Sequence, residues 1–296
     1  MCLIARGEHL AVMRRDGLEL QTPDETVRLA VRAVSAPAGV EWTPGTVVLL
    51  AMKTQDTAAA LRELAAAAPS ETPVVCAQNG VENEGLALRS FPNVYGMCVM
   101  LPAAHVEPGV VQAYGTPMTG LLDVGRYPRG ADAVAAQIAA DLTGARCSSE
   151  PLDDIMRSKY RKLIMNLGNA IEAACGPAPR PTDLYGRAAE EGEAVLAAAG
   201  IEAASAEEDT ARRGELMRLR PIGGERRGGG STWQSLQRGT GAVEADYLNG
   251  EIVLLGRLHG VPTPVNAGLQ RVANRLARDH VPPGSMSVEE LEAELS

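Results

Sequence analysis

Residues 47–80 read VVLLAMKTQDTAAALRELAAAAPSETPVVCAQNG, in which two short apolar runs are separated by a segment rich in alanine and leucine. The runs at 46–52 and 74–77 are typical of buried strands, and 56–68 has the length and composition of a helix. A strand, a helix and a second strand in this order build a parallel sheet that is covered by helices on both faces. This stretch therefore predicts an α/β fold.

The same alternation continues on both sides of this stretch. Further strands are predicted at 2–5 and 94–99, and further helices at 82–89 and 131–142. Two other segments alternate by two or break at glycine and proline, which predicts antiparallel additions to the sheet. These segments are 27–34 and 110–124.

The character of the chain changes near Pro151, because strand signals disappear and helical periodicity dominates from there on. A chain of 296 residues is long enough for two domains, since single cores usually stop growing at about 250–300 residues. We therefore predict a Rossmann-like α/β domain over 1–150 and an all-α domain over 151–296. The predicted helices of the second domain are 154–174, 184–199, 207–219, 243–259 and 266–277, and 221–230 is a candidate mobile loop.

Composition excludes several classes of function. Only 3% of the residues are aromatic and the formal net charge is −9, which argues against a surface for nucleic acid or anionic membrane. No apolar run approaches the ~20 residues that span a bilayer. The five cysteines and four histidines are scattered, so we expect no disulfide framework and no metal site. A cytoplasmic location fits this pattern best.

Lysine is rare in this chain, since only three of its 28 basic residues are lysines. Lysine can release a proton, whereas arginine stays charged, so a retained lysine is a candidate for proton transfer. The spacing of Lys159, Lys162, Asn166 and Asn169 predicts that all four lie on one face of a helix. The alternative is that this stripe is only the solvated side of an amphipathic helix.

Polar residues follow two of the predicted strands, at the sheet edge where open α/β sheets bind ligands. Lys53 follows the strand at 46–52, and Asn79 and Gly80 follow the strand at 74–77. Asn79-Gly80 alone is compatible with an ordinary turn, and Lys53 with a solvated helix start. Lysine is disfavoured at the positive end of a helix dipole, however, so its position suggests an anionic ligand nearby.

Arg6 directly follows the first predicted strand. In a dinucleotide-binding fold an acidic residue near this place holds the ribose of NAD, and an arginine accommodates the 2′-phosphate of NADP. Arg6 therefore points to NADP.

Glu244 and Asp246 open a predicted helix that runs into Asn249-Gly250 and is preceded by Ser231-Thr232. Acidic residues in a first helical turn are often present only because they interact well with the helix dipole. Structural and functional explanations of Glu244 are therefore both open at this point.

Taken in order, these segments resemble the ketopantoate reductase family. The resemblance covers nearly the whole chain, although no single motif is very specific. The matching motifs are Leu-Ile-Ala-Arg6-Gly, Met52-Lys53-Thr-Gln55, Gln78-Asn79-Gly80, Arg161-Lys162-Leu163 with Asn166, and Glu244-Ala-Asp246-Tyr-Leu-Asn249-Gly250.

The resemblance implies an N-terminal Rossmann domain for NADPH, a helical C-terminal domain and reduction of 2-dehydropantoate to pantoate, a step of pantothenate biosynthesis. It implies a small 2-oxo acid as partner and leaves a homodimer as an option. The implied roles are general acid for Lys162 and engagement of the substrate hydroxyl for Glu244. Arg6, Lys53 and Asn79 would bind the cofactor, and Lys53 and Asn79 would also position the lysine. Substrate binding is implied for Asn166, Asn169, Ser231 and Thr232.

Two departures from the family pattern set further expectations. The family begins with a strand, a Gly-x-Gly-x-x-Gly turn and a helix, and this chain has nothing ahead of Met1. We therefore expect weak pyrophosphate binding and low enzymatic activity from these 296 residues. Ala170 also stands where many members have a second amide, with Asn169 one residue earlier, so a related 2-oxo acid is an alternative substrate.

Other classes of protein remain open. One alternative is a non-catalytic or cofactor-defective binding protein of the same family. Another is a two-domain dehydrogenase of the 6-phosphogluconate or 3-hydroxyacid type.

Overall fold

The computed structural model describes residues 1–177 and 182–295, and the chain divides into two compact units. The first unit comprises Met1–Gln78, Glu82–Met156 and Thr210–Arg227. The second unit comprises the described residues of Asn79–Val81, Arg157–Asp209 and Gly228–Ser296.

The first unit alternates strands with helices, as the sequence predicts. Its elements before residue 150 are β1 (Cys2–Ile4), α1 (Gly7–Asp16), β2 (Leu18–Gln21), β3 (Thr26–Leu29), β4 (Arg32–Val34), β5 (Val48–Leu50), α2 (Thr54–Ala65), β6 (Val74–Cys76), α3 (Asn83–Leu88), β7 (Val94–Met100), β8 (Ala103–Ala104), β9 (Val110–Ala113), β10 (Gly115–Pro117), β11 (Gly120–Arg126), α4 (Ala133–Gly144) and β12 (Cys147–Ser148).

The main sheet has the strand order β12-β11-β7-β6-β5, with β5, β6 and β7 parallel. Successive residues of a strand point to opposite faces of the sheet. On one face Val74 and Cys76 pack with Leu61 and Leu64 of α2, and on the other Val75 packs in a cluster that includes Ile138 of α4. Helices thus cover both faces, which is the α/β architecture that the sequence predicts.

Two smaller sheets differ in strand direction from the sequence prediction. Segments 27–34 and 110–124 were both expected to be antiparallel additions, yet β4 is parallel to β1 and β9 is parallel to β2. Other pairs of these segments are antiparallel, including β2 with β3 and β11 with β7, whereas β11 is parallel to β12. Alternation along one strand shows which side chains share a face, but not which strand lies beside it or in which direction.

The segment 207–219 is not the single helix that its periodicity predicts. Helix α8 (Ala206–Arg213) is followed by strand β13 (Met217–Leu219), which pairs antiparallel with β10. Tertiary pairing overrides local propensity here. Because of this pairing, residues 210–227 belong to the first unit, although the predicted boundary near Pro151 would assign them to the second.

Among its described residues, the second unit contains helices and no strand. Its largest fully buried side chains are aliphatic, among them Leu163, Ile171, Leu184, Ile252 and Leu269. This agrees with the scarcity of aromatic residues. The helices that provide this core are α5 (Ile155–Asn166), α6 (Asn169–Cys175), α7 (Thr182–Ala198), α9 (Ser231–Gln237), α10 (Asn249–His259), α11 (Pro264–Arg278) and α12 (Val288–Leu295).

Residues 1–177 and 182–295 contain no helix that is both long and apolar enough to cross a membrane. In the same residues no group of three or more His, Cys, Asp or Glu is arranged to hold a metal ion. Two of the histidines that are scattered in sequence do meet, since the rings of His9 and His105 lie 4.3 Å apart.

The histidine pair predicts a pH dependence of stability. His9 Nδ1 accepts a hydrogen bond from Gly109 N at 2.8 Å, and burial, followed by the charge of His105, lowers the pKa of His9. Because the folded pKa lies below the unfolded value, the unfolded chain takes up the proton first as the pH falls. The stabilisation is present above the unfolded pKa of about 6.5 and is lost as the pH falls through the lower folded pKa.

We therefore expect the free energy of unfolding to decline less on acidification below neutral pH in a His9→Ala variant than in the unmodified protein. Urea unfolding at a series of pH values measures this difference. His259→Ala is the control, because His259 is exposed at the end of α10. Parallel pH curves for His9→Ala and the unmodified protein would contradict the prediction.

Candidate active site

The carboxyl ends of β5 and β6 are braced by a buried amide. Gln78 Nε2 donates to Met52 O at 2.9 Å and to Thr57 Oγ1 at 2.8 Å, which ties the end of β6 to the end of β5 and to α2. Thr57 Oγ1 in turn donates to Asn83 Oδ1 at 2.8 Å. The half-buried Lys53 directly precedes α2 and is therefore fixed at this edge of the sheet.

Arg6 lies between β1 and α1 on the surface of the first unit. Its NH2 group contacts Glu63 Oε2 of α2 at 2.6 Å, and the two side chains are 64% and 43% exposed. An exposed ion pair of this kind contributes about 0–1 kcal/mol, so the guanidinium can exchange its partner at little cost. Sequence reasoning identified Arg6 but gave no signal for Glu63.

In the second unit, α5 presents Lys162 and Asn166 four residues apart, and both side chains are half-buried. Asn166 Nδ2 donates to Asn79 Oδ1 at 3.4 Å. Asn79 belongs to a short segment that is separated in sequence from the rest of this unit. The structure thus brings Asn79 and Asn166 together, one helical turn from Lys162.

The Asn79-Gly80 turn also approaches the segment that follows Glu244. Gly80 has a φ of +78°, and a Cβ atom at this position would lie 3.0 Å from Tyr247 O. A side chain is therefore strained here both by the backbone conformation and by the close approach. Glycine allows the turn that carries Asn79 to lie directly against residues 245–247.

Glu244 is buried, with 4% of its surface exposed, and precedes a 3₁₀ turn at Ala245–Tyr247. Helix α10 begins only at Asn249, so the expectation that Glu244 opens a long helix is wrong. A carboxylate can interact favourably with a helix dipole while it remains exposed to solvent. Burial of a carboxylate costs free energy unless polar partners offset the loss of solvation. The burial of Glu244 therefore favours a specific role over the dipole explanation.

The predicted polar stripe 159–169 is not continuous. Helix α5 ends at Asn166, and α6 begins at Asn169 after a break at Leu167 and Gly168. Lys159 is 3% exposed, so it does not lie on a solvated face. The prediction that four polar residues share one face of one helix is wrong for Asn169, because Asn169 belongs to α6 and not to α5.

Asn169 instead lies beside the start of α9. Gly230 N donates to Glu172 Oε2 at 3.0 Å, and a Cβ atom on Gly230 would lie 2.6 Å from that oxygen and 3.6 Å from Asn169 Oδ1. Ser231 is the next residue and is half-buried, and Thr232 is 2% exposed. Sequence reasoning missed Glu172, although its spacing of three from Asn169 on a helix is a usable signal.

Comparisons with known proteins find related sequences over both halves of the chain. Residues 1–128 match the family model "Ketopantoate reductase PanE/ApbA", and residues 154–277 match "Ketopantoate reductase PanE/ApbA C terminal". The chain is 29% identical to the 2-dehydropantoate 2-reductase of Halobacterium salinarum, over 91% of this chain and 89% of that protein. It is also 29% identical to the 2-dehydropantoate 2-reductase of Mesorhizobium japonicum, over 94% and 90%.

Solved structures show the same fold. A PanE/ApbA family ketopantoate reductase from Ralstonia eutropha JMP134 is 28% identical with a TM-score of 0.76, covering 94% of this chain and 90% of that chain. A D-mandelate dehydrogenase solved with NADH and anilino(oxo)acetate is 22% identical with a TM-score of 0.79, covering 94% and 91%. Its identity is low enough that it supports the fold alone. The sequence matches across both halves and the shared architecture establish that the chain belongs to the ketopantoate reductase family, a family of oxidoreductases.

Proposed function

We propose that this chain catalyses the NADPH-dependent reduction of 2-dehydropantoate to pantoate, or of a closely related 2-oxo acid. The observation that carries the proposal is the group formed by Lys162, Asn166 and Asn79, in which a half-buried lysine lies one helical turn from a hydrogen-bonded amide pair. Reduction of a ketone leaves an alkoxide, which needs a positive charge and a proton. A lysine supplies both, whereas an arginine supplies only the charge.

In this proposal Lys162 Nζ donates its proton to the substrate oxygen that was the ketone. Asn166 and Asn169 donate or accept hydrogen bonds to orient the 2-oxo acid, and Glu244 binds its hydroxyl group. Ser231 or Thr232 contacts the substrate carboxylate. The half-buried setting of Lys162 limits the water that competes for its proton and strengthens its attraction to the developing negative charge.

A reduced nicotinamide dinucleotide supplies the hydride when it is bound. The exposed guanidinium of Arg6, whose partner is a single exposed carboxylate, fits a 2′-phosphate. We assign Lys53 and Asn79 to the positioning of the cofactor and of Lys162. The sequence contains no Gly-x-Gly-x-x-Gly motif, so we assign no residue to the pyrophosphate.

The test is turnover by the purified protein. We expect NADPH oxidation that depends on 2-dehydropantoate, followed by absorbance of the reduced nicotinamide, with other 2-oxo acids compared by kcat/KM. Binding of 2-dehydropantoate without turnover would instead support the binding-protein alternative. Absence of both binding and turnover with every 2-oxo acid would overturn the proposal.

We expect Arg6→Ala to weaken NADPH binding by about tenfold or more and to leave NADH binding nearly unchanged. The reason is that only NADPH carries the phosphate that a guanidinium holds through charge-assisted hydrogen bonds. Dissociation constants for both cofactors, measured by nicotinamide fluorescence, distinguish a contact with the 2′-phosphate from a structural role of Arg6. Arg15→Ala is the matched control, since Arg15 lies in the last turn of α1 and pairs with its neighbour Asp16. An equal loss for both cofactors would make Arg6 a structural residue.

A further inference from the structure

We infer that Asn249 is a positioning residue for the reaction, because its amide holds the break between α5 and α6 in place. The inference rests on the proposed function and deepens it. Asn249 is part of the motif that supports the family resemblance, but the reaction chemistry gives it no role. It is 1% exposed and lies at the start of α10, five residues after Glu244.

The first contact of Asn249 reaches the break itself. Asn249 Nδ2 donates to Leu167 O at 3.1 Å. Leu167 immediately follows Asn166, and none of its surface is exposed. A buried carbonyl at a helix break cannot rely on water for a hydrogen bond, so it needs a protein donor. The side chain of Asn249 supplies that donor from a different helix.

A second contact fixes the orientation of the Asn249 amide. Asn249 Nδ2 also donates to Asn266 Oδ1 at 3.0 Å, and Asn266 Nδ2 donates to Ala188 O and to Glu191 Oε2, both at 2.9 Å. Glu191 further accepts hydrogen bonds from the backbone N–H groups of Val265 and Asn266, each at 2.9 Å. This hydrogen-bond network joins α7, α10 and α11. Buried networks whose donors and acceptors are satisfied hold the packed helices in one rigid arrangement.

This network controls the geometry of the proposed substrate groups. The position of Leu167 O sets where α5 stops, and a rotation of that helix end by one residue would turn Asn166 by about 100° around the axis. The same break sets the direction in which α6 carries Asn169. Asn249 therefore connects the segment of Glu244 to the segment that carries the two amides.

The test compares Asn249→Ala with Leu276→Ala, a truncation in the aliphatic core of α11 where Leu276 is 2% exposed. Both changes lower the melting temperature. We expect Asn249→Ala to lower kcat at least ~10-fold, because small displacements of catalytic groups have large effects on rate. The KM for the 2-oxo acid should change less than kcat, and Leu276→Ala should leave kcat close to that of the unmodified protein. Equal kcat values for two variants of similar melting temperature would overturn the inference.

A second measurement keeps the inference independent of turnover. Backbone hydrogen exchange of residues 167–172 should accelerate more in Asn249→Ala than in Leu276→Ala. Equal acceleration would show that the hydrogen bond from Asn249 to Leu167 O does not hold the helix break in place. If the alanine variant does not fold, Asn249→Ser is compared with Leu276→Ala by the same criteria, since its hydroxyl retains one donor. If the unmodified protein reduced no 2-oxo acid, the proposed function would be wrong. The hydrogen-exchange comparison would then be the test of whether Asn249 holds the helix break in place.

Discussion

A Lys162→Ala variant is expected to lose at least ~10²-fold in kcat, which is the usual scale for removing a positioned general acid. Lys162→Arg is expected to restore little of this loss, because the charge returns without a proton that can be transferred near neutral pH. Steady-state turnover of 2-dehydropantoate with NADPH measures both effects. The melting temperatures of the variants should stay close to that of the unmodified protein, since Lys162 is only half-buried.

Arg161→Ala is the matched control for this prediction. It removes one positive charge from the same helix, but Arg161 NH1 lies 3.5 Å from Glu193 of α7, a mostly exposed partner. We expect its kcat to remain close to the original value, because Arg161 pairs with Glu193 and has no role in the proposed reaction. Near-normal turnover in Lys162→Arg would remove Lys162 from the acid role and leave it as an electrostatic group.

An Asp123→Ala variant is expected to lose about 3–5 kcal/mol in the free energy of unfolding of the first unit. Asp123, 5% exposed, accepts hydrogen bonds from Arg212 Nε at 2.9 Å, from Arg212 NH2 at 2.6 Å and from Glu150 N at 2.9 Å. Its removal leaves the charge of Arg212, whose side chain is only 21% exposed, without its main partner. Urea unfolding monitored by circular dichroism measures the loss.

Glu41→Ala is the control for Asp123→Ala. It also removes a carboxylate paired with an arginine, but Glu41 and Arg32 are 74% and 53% exposed. We expect a change of about 0–1 kcal/mol for such a surface pair. Losses of similar size in the two variants would show that burial of Asp123 adds nothing to its pairing with Arg212.

The sequence predicted the elements that a local pattern determines. Strands β5, β6 and β7 and helices α2 and α4 follow from apolar runs and from alternation, and the α/β and helical halves are confirmed. Strand partners could not be predicted in the same way. The pairing of β13 with β10 joins residues about 100 positions apart, and nothing in the Met-Arg-Leu sequence of β13 specifies β10.

The candidate site was predictable to a similar extent. Lys162 and Asn166 share a face of α5 because a spacing of four residues is sufficient, whereas the contact between Asn166 and Asn79 depends on tertiary structure. The break after Asn166 was missed because Leu167 and Gly168 continue the helical pattern, and only the amide of Asn249, 82 residues away, marks it. The functional roles of these residues stay predictions until the variants are measured.

The pairing of β10 with β13 has a consequence for how the chain is made. During synthesis, β10 emerges from the ribosome long before its partner strand, and Asp123 emerges long before Arg212. Domains generally fold as units while the chain grows from its N-terminus. Until residues 157–209 of the second unit have been made, the nascent first unit therefore has an open strand edge at β10 and an unpaired carboxylate at Asp123. A gene fragment that ends near Pro151 would encode that unfinished state permanently, and we expect such a fragment to aggregate rather than fold.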